Sequence, residues 1–194
     1  MANRHHRLTR RKKREKSHEN IKIHHVAYRC KDAKETVDWY GKHLNMDFVL
    51  AIGENQVPST KEPDPYMHIF LDAGGGNILA FFELPNSPDM CKDPNTPEWV
   101  QHIAFEVEGL EVLTKTKAKL EADGIDVIGI TNHTIFKSIY FFDPNGHRIK
   151  LATNTNTPEM SRELDNVKWD MLNEWSETKI APEHARWMHD GTYD

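Results

Sequence analysis

The sequence contains one internal repeat, and that repeat limits its possible folds more than any other feature. His25-Val26-Ala27-Tyr28 matches His102-Ile103-Ala104-Phe105, 77 positions later. After each copy come a helix-forming segment and three further apolar runs, so the element order βαβββ occurs twice. Two copies of one unit indicate paired halves rather than an extended array.

The boundaries of these elements follow from local chemistry. "IKIHHVAYRC" is rich in apolar and β-branched residues and predicts a strand. Asp32 is placed to cap a helix over 33–43 whose apolar side carries Val37, Tyr40 and Leu44. Strands are predicted over 47–52, 66–73 and 77–84, with Gly74–Gly76 forming the hairpin between the last two. In the second half "VQHIAFEVEG" predicts a strand, followed by a helix over 110–122 that Gly124 stops. Strands over 125–130, 136–142 and 147–152 complete it, with the Asp143-Pro144-Asn145-Gly146 turn between the last two. The expected class is α+β: paired βαβββ modules forming a cupped, incomplete barrel, followed by C-terminal helices. The expected division is a basic tail over 1–19, a central domain over 20–154 with modules at about 20–85 and 99–154, and an extension over 155–194.

Side chains on a strand alternate between its two faces. Ile103, Phe105 and Val107 share one face, suited to a helix, while His102, Ala104 and Glu106 share the other. The first strand has the same phase, with Val26, Tyr28 and Cys30 opposite His25, Ala27 and Arg29. Matching Phe82-Glu83-Leu84 to Ile149-Lys150-Leu151 places Glu83 in phase with Lys150. On this reading His25, His102, Glu83 and Lys150 all point into the cup. Two imidazoles and a carboxylate converging from separate strands suit a divalent metal.

Charge is unevenly distributed. Residues 1–16 hold eight Lys or Arg against one Glu, a net +7 in a chain whose total is −5, so the remainder carries −12. The basic run is expected to be a solvated, disordered terminus, not a nucleic-acid patch. It has no apolar core of the kind a secretory signal needs, and no apolar run is long enough to span a membrane. Cys30 and Cys91 form no framework, which predicts reduced thiols and a cytoplasmic protein. In the extension, Thr157 and Pro158 predict a helix start, and Met160, Leu164, Val167, Met171 and Trp175 recur at helical spacing. That stripe is expected to pack on the domain or on a second subunit, and a second short helix is expected from Pro182 with Trp187 and Met188.

From Ile21 to Thr153 the chain resembles the vicinal oxygen chelate superfamily, which includes glyoxalase I, bleomycin-resistance proteins and extradiol ring-cleaving dioxygenases. "HHVAYRCKDAKETVDWYGKHLNMDF" is similar to its opening strand and helix. The resemblance implies that His25 and His102 are metal ligands, and that Glu83 falls where glyoxalase-like members place a third. Thr131, His133, Ile139, Tyr140, Asp143, Pro144 and Gly146 resemble the extradiol dioxygenase ending, except that its final ligand Glu is Lys150 here. It further implies Fe(II) or another divalent metal, dioxygen, a catechol-type or related vicinal-oxygen substrate, a homodimer, and His133 and Tyr140 hydrogen-bonded to the bound substrate.

Lys150 has no lone pair to give a cation while it is protonated. Three outcomes are open: a metal held by His25, His102 and Glu83 with Lys150 turned aside; a Lys150–Glu83 pair in a metal-free binding pocket; or a neutral Lys150 that takes part in chemistry. A glyoxalase-like isomerase or lyase is the other enzymatic reading, and it needs neither the His133/Tyr140 pattern nor dioxygen.

Overall fold

The computed structural model describes residues 22–188 and 190–191. The basic run and the start of the expected first strand lie outside the described residues. The element order is β1 (Val26–Cys30), α1 (Ala33–Leu44), β2 (Asp47–Glu54), β3 (Tyr66–Asp72) and β4 (Ile78–Glu83). Then come β5 (Ile103–Glu106), α2 (Gly109–Ala122), β6 (Ile128–Asn132), β7 (Phe136–Phe142), β8 (Arg148–Asn154), α3 (Pro158–Thr178) and a 3-10 segment over Glu183–Met188. Both halves thus show the βαβββ order. Each forms a four-stranded sheet, β1-β4-β3-β2 and β5-β8-β7-β6, and neither sheet closes on itself. The architecture is the expected open α+β cup.

Local chemistry sets the helix ends. Asp32 accepts a hydrogen bond from the Glu35 amide at 2.7 Å, and Asn45 ends α1 in the left-handed region. Thr157 caps α3 through the Met160 amide, with Pro158 at the first helical position. Along the α3 stripe Met160 is buried and Leu164, Val167 and Met171 are half-buried, whereas Trp175 is exposed. Gly129 lets β6 pass close to β7: its φ is +111°, and a Cβ there would stand 2.7 Å from the Ser138 carbonyl oxygen.

The core lies between the helices and one face of each sheet. Tyr40 of α1 packs on Phe81, and Trp39 on Phe141. Leu113 and Leu120 of α2 join Ile139, Phe141, Ile149 and Leu151 in the same buried cluster. Apolar burial across both halves is the main favourable term in holding them together.

Strand register corrects one expectation. β1 runs parallel to β4 with Ala27 opposite Ala80 and Cys30 opposite Glu83. β5 runs parallel to β8 with Ala104 opposite Lys150. Since Ala27 and Ala104 are repeat partners, the repeat partner of Lys150 is Ala80, not Glu83. Glu83 shares its face with Leu79 and Phe81, the core face. There its Oε2 accepts a hydrogen bond from the Ala33 amide at 2.7 Å, satisfying a free N–H at the start of α1. Glu83 therefore does not point into the cup. Hydrophobicity could not show this, because Leu79, Ala80 and Phe81 are all buried and β4 is apolar on both faces.

Candidate functional site

On the inner face of the second sheet, register sets Tyr140 opposite Lys150, and Lys150 opposite Ala104. The Lys150 ammonium nitrogen lies 4.1 Å from the Phe136 ring centroid and 5.2 Å from that of Tyr140. The side chain is only 7 % exposed, yet no hydrogen bond or ion pair engages it among the described residues. Two residues earlier, Arg148 projects from the same face. Its guanidinium carbon is 4.4 Å from the Tyr140 ring centroid, and its buried Nε has no hydrogen-bond partner.

His133, in the turn between β6 and β7, meets this group from the side. Its Nε2 is 2.9 Å from the Tyr140 hydroxyl and 3.1 Å from the Ser138 hydroxyl. Burial, and then the Lys150 charge, hold His133 below the ordinary imidazole range. The ring is accordingly neutral near pH 7, and a neutral Nε2 that carries no proton can accept the Tyr140 hydroxyl hydrogen. His102 completes the group, its ring 6.0 Å from that of Tyr140. Its Nδ1 is 3.0 Å from the Val100 carbonyl oxygen, which calls for N–H at Nδ1 and leaves Nε2 as a free acceptor.

His25 belongs to a different group, on the first sheet. Its ring is 6.1 Å from His68 and 5.7 Å from Phe70, and its Nδ1 is 2.8 Å from that of His24. His68 stacks on Phe82 at 3.6 Å between centroids, and its Nε2 is buried without a partner. Burial, and then His25, lower its affinity for a proton. Among the residues singled out from the sequence, His102, His133, Tyr140 and Lys150 are brought together; His25 stands with His68, and Glu83 is apart. Arg148 and His68 went unnoticed as site residues. The signal for Arg148 was its two-residue spacing from Lys150; for His68 it was a lone imidazole within an apolar strand. A separate cleft of about 880 Å³ under the 90–101 loop touches this face only at His102 and Arg148.

These side chains do not fit a centre of two histidines and one carboxylate. Lys150 holds the position where a carboxylate would complete it, Ala80 holds the repeat-related position, and Glu83 is turned to the core face. Among the described residues, no group of three or more His, Cys, Asp or Glu side chains is placed to hold a metal ion. An ammonium group repels a cation and cannot donate a lone pair to it.

The fold corresponds to a recognised class. The model of the "Glyoxalase/Bleomycin resistance protein/Dioxygenase superfamily" matches residues 22–151. The chain belongs to that superfamily. It is 28% identical over 134 residues to "Putative ring-cleaving dioxygenase MhqA" of Bacillus subtilis (strain 168), an alignment covering 67% of this chain and 39% of that protein. The chain thus spans about two fifths of the length of that relative. Among solved structures, the trypanothione-dependent glyoxalase I of Leishmania major superposes with a TM-score of 0.53 at 18% identity, covering 81% of this chain and 99% of that one. A protein from the mobile metagenome of V. Pseudocholerae gives 0.51 at 20% identity, covering 72% and 99%. At these identities the structures establish the fold alone. Among the described residues, no helix is long and apolar enough to cross a membrane.

Proposed function

We propose that the chain binds and acts on a small phenolic or vicinal-oxygen compound, held as its anion on the inner face of β5, β7 and β8. The observation that carries this reading is the placement of Lys150: a side chain only 7 % exposed, with no ion pair among the described residues, beside a hydrogen-bonded Tyr140–His133 pair. An ammonium without a counter-ion on this face attracts an anionic ligand, and the surrounding protein strengthens that attraction over its value in water. Phe136 and Tyr140 border the Lys150 ammonium and give this face aromatic character. His133 can take a proton from Tyr140, leaving the phenolic oxygen able to accept one from a bound hydroxyl. Lys150 then stabilises the oxyanion that results.

Ring cleavage by a dioxygenase is the second reading, supported by the likeness to MhqA and by the His133–Tyr140 pair. It calls for Fe(II) or another divalent metal, and in this chain only His25 and His102 remain of the ligands first expected.

The two readings separate by oxygen uptake. Protein prepared without metal, and protein loaded anaerobically with Fe(II) or Mn(II), would each be mixed with catechol in an oxygen electrode while catechol binding is followed by calorimetry. Binding without metal and without oxygen uptake is the expected result. Metal-dependent oxygen consumption with a ring-opened product would establish the second reading instead.

A further inference from the structure

We propose that Arg148 and Lys150 form a two-cation recognition site for a carboxylate, so that the ligand of the inner face is an aromatic carboxylic acid rather than a neutral phenol. This rests on the reading that the inner face of the second sheet binds a small oxygenated aromatic compound.

The two side chains are two residues apart on β8 and therefore share one face. They flank a single ring: the Arg148 guanidinium carbon is 4.4 Å from the centroid of Tyr140, and the Lys150 nitrogen 5.2 Å. Neither makes an ion pair among the described residues, and three acids on this face or in the adjoining cleft are engaged elsewhere. Glu106, on the same face, accepts from Asn154 Nδ2. In the cleft that Arg148 also lines, Glu98 pairs with Lys92, and Asp93 accepts from the Asn95 amide and the Thr96 hydroxyl. Lys150 is more than nine-tenths buried, and the buried Arg148 Nε lacks a partner.

Two neighbouring cations without counter-ions are unusual, and here they lie in a body that carries −12 outside its basic tail. The aromatic rings contribute cation–π attraction but no hydrogen-bond acceptor. The guanidinium presents a planar fork of donors that matches the two oxygens of a carboxylate, and the ammonium supplies a point charge beside it. A phenolic hydroxyl alone would meet the Tyr140–His133 pair and leave Arg148 unsatisfied. A ring carrying both a hydroxyl and a carboxylate satisfies both groups at once.

The probes are catechol, 3,4-dihydroxybenzoate and the methyl ester of that acid, titrated calorimetrically into the full chain. The expected result is that the acid binds tighter than catechol or the ester by on the order of tenfold or more, the scale of a hydrogen bond to a charged group. That preference should shrink as salt is raised, and it should vanish in Arg148→Ala and in Lys150→Met. Equal binding of acid, ester and catechol by the unaltered protein would overturn the carboxylate proposal while leaving the reading of the site intact. Binding of none of the three would overturn both. Because the preference is measured first on the unaltered chain, a variant that fails to fold does not decide the outcome.

Discussion

Tyr40 of the first half donates its phenolic hydrogen to Asp143 of the second, across 3.0 Å and away from solvent. The same carboxylate accepts from the amides of Asn145 and His147 and from the Asn145 side chain. Asn145 in turn reaches Thr36 and the Lys31 amide on the first half. The Asp-Pro-Asn-Gly turn thus does more than reverse the chain. It fastens β8, with Arg148 and Lys150, to the corner between β1 and α1.

Loss of that fastening should be visible in stability. Asp143→Ala leaves several buried donors unsatisfied and should cost about 3 kcal/mol or more. Tyr40→Phe removes one hydrogen bond and should cost about 1–2 kcal/mol. Urea unfolding of the two variants checks the order, which equal midpoints would contradict.

Acid should weaken the fold in a defined window. Burial is the largest cause holding His43, His68 and His133 below the ordinary value of 6.5. In the unfolded chain these imidazoles take up protons near that value, whereas in the folded chain they do so only at lower pH. Their contribution is therefore complete above about pH 6.5 and is lost as pH falls through the lowered folded values. Melting temperature measured from pH 7.5 down to pH 5 should fall, and His68→Phe should flatten part of that slope. A melting temperature that rises towards pH 5 would contradict the assignment.

Glu83 should behave as a helix-capping residue and not as a ligand. Glu83→Ala removes the acceptor of the Ala33 amide at the start of α1 and should cost about 1 kcal/mol of stability. Catechol binding should be unchanged. A large loss of binding with unaltered stability would return Glu83 to the site.

Restoring a carboxylate at position 150 should change the chemistry of the inner face. Lys150→Glu removes the ammonium and presents a carboxylate on the face that also carries His102. Affinity for Mn(II) or Fe(II), measured by calorimetry under anaerobic conditions, should rise over the unaltered protein by about tenfold or more. Equal affinities would show that Lys150 is not what opposes a cation there.

Much of this arrangement was legible in the chain. The repeat gave the pairing of halves, Asp32 and Thr157 gave the helix starts, and alternation placed Lys150 on the same face as His102. Alternation works where one face is polar, as in β8, with Arg148 and Lys150 against Ile149 and Leu151. It fails in β4, which lies between β1 and β3 and is apolar on both faces. There a shift of phase leaves no mark in the sequence, so Glu83 was assigned to the wrong face. The bonds from Asp143 and Asn145 to Tyr40 and Thr36 span more than a hundred residues, and no local pattern encodes them. Arg148 escaped notice because an arginine on a strand is ordinarily solvated; only its unpartnered Nε and its position over Tyr140 mark it out.

On the proposed reading, Lys150 provides on this inner face the positive charge that other chemistry would draw from a metal. Calorimetric titration of catechol into the chain, first stripped of metal and then loaded with Fe(II), tests it most directly, with Lys150→Met measured alongside. The expected result is the same affinity with and without metal and at least about a tenfold loss in Lys150→Met. Binding that requires the metal and survives in Lys150→Met would contradict it.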